Sequence, residues 1–97
     1  MERKNSEYLY AQAKSQLEQL TKQLETYQSL IGYYETTAIA NANSIIRNAT
    51  KGYQNGDISY VEYVQGIETA SAIQFNYNDA ISKYNQTVIT IQYLLNQ

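Results

Sequence analysis

No cysteine and no histidine occur anywhere in the chain. The first absence excludes a disulfide framework, and the two together exclude the soft ligand sets that hold zinc, copper or iron. They also remove the usual pairing of a nucleophile with an imidazole base, and no acid–base pair converges elsewhere in the sequence. The expectation is a protein that is not an enzyme and holds neither metal nor cofactor. Proline is missing as well, and only four glycines are present. Without proline to end helices and with few glycines for turns, the composition favours a few long elements over a turn-rich β fold. An excess of either charge is also lacking: seven basic and nine acidic residues leave a net −2. That gives no electrostatic footprint for nucleic acid or for an anionic membrane surface. Apolar runs such as Val88-Ile89-Thr90-Ile91 are far shorter than the roughly 20 residues a membrane-spanning helix needs, so direct insertion into a bilayer is not expected. No apolar stretch follows Met1-Glu2-Arg3-Lys4 to make a signal peptide.

What is present is a periodicity. The 97 residues are 43% hydrophobic, with eleven tyrosines against one phenylalanine, enough for one small domain spanning residues 1–97. Ala13, Leu17, Leu20, Leu24, Tyr27, Ile31, Tyr34 and Ala38 fall at four-three spacings, which is coiled-coil patterning. The stripe continues as Ala42, Ile45, Ala49 and Gly52, and the two four-residue steps from Tyr34 to Ala38 to Ala42 insert a stutter that relaxes the supercoil. An alternative register puts Asn41 and Asn48 on the seam instead. A second stripe runs through Tyr60, Tyr63, Ile67, Ala70, Gln74, Tyr77, Ile81, Tyr84, Val88, Ile91 and Leu95, with only Gln74 breaking its apolar character.

Between the stripes lies Gly52-Tyr53-Gln54-Asn55-Gly56-Asp57-Ile58-Ser59, where Gly56 reads as the left-handed residue that ends the first helix. Ser59-Tyr60-Val61-Glu62 reads as a capping box, Ile58 and Tyr63 occupy the positions of a hydrophobic staple, and Asp57 places negative charge beside the new helix N-terminus. The fold class is therefore all-α: a long antiparallel two-helix coiled-coil hairpin, with helix 1 over about 6–54, a tip over about 55–58 and helix 2 over about 59–96. Folding about Asp57 sets Ile31 against Tyr84 and Leu20 against Leu95, and leaves Tyr8, Leu9 and Tyr10 beyond the shorter arm. Leu30, Ile39, Ile46, Val64, Ile73, Ile89 and Leu94 lie off both main seams. A second buried face accounts for them most simply, so self-association into a four-helix or larger helical assembly is expected. Lys14, Lys22, Lys51 and Lys83 are scattered and read as solvated face, and Asp57 with Glu62 falls short of a hard-cation site.

The tip and the helix after it carry a resemblance. Ala49-Thr50-Lys51-Gly52-Tyr53-Gln54-Asn55-Gly56-Asp57-Ile58-Ser59-Tyr60-Val61-Glu62-Tyr63-Val64-Gln65 resembles the tip motif of TolC-like outer-membrane efflux proteins, roughly A-x-x-x-Y-x-x-G-x-x-S/T-x-x-D/E followed by two apolar residues. The run from Ala70 to Ile89, with Tyr77-Asn78-Asp79-Ala80 and Tyr84-Asn85 within it, resembles the returning helix of that family. The likeness covers about residues 38–95, and it is also similar to a segment that some heavy-metal pumps of the resistance-nodulation-division superfamily carry as a C-terminal extension.

The resemblance implies a periplasmic hairpin in a trimeric helical tube, whose tip meets a membrane-fusion adaptor protein that links it to an inner-membrane pump. Tyr53, Asn55, Gly56, Asp57 and Ser59 would form the adaptor-contacting tip. Glu62 and Gln65 match the positions that line the tube's entrance; acidic residues are frequent there in the family, and Gln65 departs from that pattern. The barrel strands of the family are missing, which implies either a piece of a longer efflux protein or a barrel-less relative; the self-association expected from the off-seam residues makes the isolated chain a dimer of hairpins. The exported solutes implied are heavy-metal cations or other small molecules. A different reading of the same hairpin is a small secreted helix-turn-helix protein acting as a homodimeric interaction module; that family carries Trp-x-Gly at its turn, and this chain has no tryptophan. A cytoplasmic coiled-coil adaptor is a third reading, which leaves the tip motif a coincidence.

Overall fold

A computed structural model describes residues 2–96, with side-chain surroundings from Ser6 to Asn96. The chain is an all-α hairpin of two long antiparallel arms, with principal extents of 77 × 22 × 16 Å. The first arm comprises α1 (Glu2–Tyr33), a π-helical turn (Tyr34–Ala38) and α2 (Ile39–Gln54); the second is α3 (Tyr60–Leu95). The first helix thus begins several residues before the position that the stripe suggests.

The π turn occupies the stutter. Two successive four-residue steps put one residue too many between Tyr34 and Ala42 for a regular seam, and the backbone takes up the excess by widening its turn. The sequence predicts a relaxed supercoil at this point; the finding is a change of helix type. Beyond it the register is decided in favour of alanine: Ala42 and Ala49 are buried, while Asn41 and Asn48 are exposed. From Leu17 onward the predicted stripe of the first arm coincides with its least exposed positions, whereas Ala13 is exposed.

On α3 eight of the eleven positions of the expected stripe are buried or half-buried. Tyr63, Ala70, Tyr77, Tyr84 and Ile91 face the first arm as expected, but Tyr60, Gln74 and Leu95 are exposed. Ile67, Ile81 and Val88 are half-buried as well, and Gly66, Ile73, Ala80, Thr87 and Leu94, which the stripe leaves out, are also half-buried or buried. The only buried residues among those described are Ala38, Ala42, Ala49, Ala70, Ala80 and Thr87. At Gly66 the two arms approach closely: a Cβ there would stand 3.2 Å from the Cβ of Ala49. Ala38, Ala42, Ala49 and Ala70 lie on the expected stripes; the two buried residues that the stripes leave out are Ala80 and Thr87, in which a hydrophobicity scale sees little. Thr87 is tolerated there because its hydroxyl donates to the Lys83 carbonyl at 2.9 Å, within its own helix.

The arms also meet through polar groups beside the π turn. The Tyr77 hydroxyl donates to the Glu35 carboxylate at 3.0 Å, and its ring lies 6.1 Å from that of Tyr34. The hydrogen bond to a carboxylate, reinforced by partial desolvation and by the carboxylate's charge, raises the Tyr77 pKa above its usual 10.0. A raised value means that the neutral phenol is the form that favours the fold. The contribution is complete below pH 10 and is lost as pH rises through the shifted value. Wild type is expected to be more stable than Tyr77→Phe at neutral pH, with the gap closing in thermal melts above pH 10; a gap that stays constant into strong alkali contradicts this.

At the open end, α3 reaches further along the first arm than a fold about Asp57 implies: Leu94 and Leu95 border a cleft with Tyr10, Ala13, Lys14 and Leu17. Tyr8 and Leu9 remain exposed, and so does Tyr10 at the cleft's edge.

Candidate interaction surface at the hairpin tip

The reversal between the arms is closed by hydrogen bonds from both sides. Asn55 N–H donates to the Lys51 carbonyl at 2.9 Å, Gly56 N–H to that of Tyr53 at 3.2 Å and Asp57 N–H to that of Gly52 at 2.8 Å. The last two form the Schellman pattern, and they require a left-handed residue just past the helix end. Gly56 supplies it at φ 78°, the only positive φ among the described residues. Ile58 then folds back over the helix: its Cγ1 lies 3.2 Å from the point a Cβ on Gly52 would occupy. The two glycines thus serve different ends, one for a backbone angle and one for a close approach.

The second arm starts on the predicted capping box. Ser59 Oγ accepts from the Glu62 N–H at 3.1 Å, and Glu62 Oε1 accepts from the Ser59 hydroxyl at 3.2 Å and, more weakly, from its N–H at 3.4 Å. A cap of this kind is worth about 1 kcal/mol. The Glu62 carboxylate is therefore engaged locally as the capping acid. Asp57 adds a second negative charge near the helix N-terminus, where the macrodipole favours it.

Tyr53, Asn55, Gly56, Asp57 and Ser59 are all exposed and share the end of the rod; Glu62 and Gln65 are exposed on the first turns of α3. Two further residues belong with them. The rings of Tyr53 and Tyr63 stack at 5.1 Å, and Tyr60 meets Tyr53 edge-on at 5.9 Å. Tyr60 was expected in the seam, yet it is 63% exposed. Three tyrosines on either side of a helical reversal are the sequence signal for this cluster; assigning two of them to packing by their spacing hides it. The result is an exposed, hydrogen-bonded tip with one aromatic face and carboxylates close by. Such a surface suits docking to a protein partner, since aromatic side chains supply contact area at low entropic cost and the backbone is already fixed by its caps. No group of three or more potential metal-ligating side chains occurs among the described residues, and no helix is long and apolar enough to cross a membrane.

Compared with protein families, curated proteins and solved structures, the chain finds no match. The class of protein that fold and tip define is an all-α helical hairpin with an ordered, exposed tip.

Proposed function

We propose that the chain is a periplasmic helical-hairpin component of a tripartite efflux system, exporting heavy-metal cations or other small solutes from a Gram-negative cell. In this reading hairpins from three protomers line up as a tube. The tips dock onto a membrane-fusion adaptor that connects them to an inner-membrane pump. The observation that carries the reading is the tip itself: the residues that resemble the TolC-like motif occupy one exposed reversal, fixed by a Schellman turn and a capping box. The uncovered apolar side chains along the rod, Phe75 and Ile89 among them, supply faces for neighbouring hairpins.

The test is adaptor crosslinking in the parent assembly. Tyr53→Ser with Asp57→Lys alters the exposed tip without touching Gly56 or the capping box, so helicity by circular dichroism should be unchanged. Crosslinking to the adaptor and export are expected to fall together. Unchanged crosslinking and export in a folded variant would sink the tip assignment, and the homodimeric interaction module would become the better account.

A further inference from the structure

The open end of the hairpin carries a charge pattern that the fold does not use. Lys14, Glu18, Lys22 and Glu25 border a shallow groove on α1 whose floor is Leu17 and Thr21. No residue of α3 contributes to it, and every lining residue except the half-buried Leu17 is exposed. The spacing of four, four and three residues keeps the four charges on one side of the helix. Neighbours of opposite sign at this spacing often pair along a helix, but the single ion pair among the described residues is Lys83 with Asp79. The order plus, minus, plus, minus is instead its own complement when reversed. A two-fold axis crossing α1 at the level of Leu20 sets Lys14 opposite Glu25 of a second copy and Glu18 opposite its Lys22. Each pair occurs twice by symmetry, as an isologous interface requires.

We infer that this groove is the docking face for a second copy of the chain, laid antiparallel along α1 with the hairpin tips at opposite ends. Apolar surface runs on from it. Lys14 and Leu17 also border the cleft with Tyr10, Ala13, Leu94 and Leu95, and Leu95 is 65% exposed. The charges set register and orientation, while the floor and the adjoining cleft supply the apolar area that a rim of surface ion pairs lacks. The antiparallel sense follows from the charge order: a parallel pairing in register sets like against like at all four positions. The inference uses no tip residue and concerns the isolated chain; an antiparallel dimer and a tube with all its tips at one end are alternative states of the hairpin.

Charge swapping on the intact chain tests it. Glu18→Lys/Glu25→Lys makes the face wholly cationic, and Lys14→Glu/Lys22→Glu makes it wholly anionic. By sedimentation equilibrium at low salt, wild type is expected to be a dimer that weakens as salt is added. Each double variant alone should dimerise roughly tenfold or more less tightly, four exposed pairs having turned from attraction to repulsion, and an equimolar mixture should recover the dimer. The native absence of cysteine gives a clean second readout: Thr21→Cys, beside the axis, should form an intermolecular disulfide, and Asn55→Cys at the tip should not. Monomeric wild type, variants that dimerise as tightly as wild type, a mixture that fails to recover, or tip crosslinking as efficient as that at position 21 would each overturn the proposal. Circular dichroism of both variants separates these outcomes from loss of fold.

Discussion

Ala80→Leu should lower the stability of the hairpin by about 1–3 kcal/mol, the range for forcing extra methylenes into a tightly packed site. Ala80 is only 2% exposed, and so is Ala70 one heptad and a half away along the same helix. Most core substitutions are judged by the cavity that they leave. Here the danger is the reverse, because the core is a line of small side chains across which two backbones approach closely, and a leucine has nowhere to go except between them. At about 4–8 °C per kcal/mol for a domain of this size, the change is readily visible in a thermal melt followed at 222 nm. The control is Leu95→Ala: Leu95 lies on the expected stripe but is 65% exposed. It should cost far less, whereas a seam drawn through the large residues predicts the opposite ranking.

Gly56→Val should cost about 1–3 kcal/mol, since a β-branched residue is forced into the left-handed region at φ 78°. There is open space around the missing Cβ, so the penalty is one of backbone angle and not of collision. Gly32→Ala makes the contrast. A Cβ there also meets nothing within 4 Å, but Gly32 sits inside α1, and the substitution should stabilise the helix by about 0.5–1 kcal/mol. Opposite signs for two glycines that are equally uncrowded would show that conformation alone separates them; a neutral Gly56→Val would remove the Schellman turn from the account of the tip.

Much of the architecture was legible because it rests on local rules. Ser59 and Glu62 specify a capping box through a spacing of three, Gly56 specifies a helix end through the one angle that other residues resist, and Leu17 to Tyr34 specify a buried stripe through large apolar side chains at heptad spacing. Each of these needs only the residues within a turn or two. The tip residues Tyr53, Asn55, Gly56, Asp57 and Ser59 could be placed at one end of the rod on that basis alone. Tyr60 and Tyr63 could not be added to them, because their spacing fits a seam equally well, and only the ring geometry with Tyr53 distinguishes the two uses.

The sequence by itself determined that the chain is two long helices joined by a tight, glycine-dependent reversal, since periodicity, caps and the absence of proline all act over short distances. Only the tertiary structure decided that Gly66, Ala80 and Thr87 share the covered face of α3, that the stutter is taken up as a π turn, and that Lys14, Glu18, Lys22 and Glu25 form no ion pair among the described residues. Those outcomes depend on how near two backbones can come, and that distance is set jointly by small residues far apart in the chain: the spacing puts Ala49 on the seam, but that Gly66 packs against it is not written in either helix read alone.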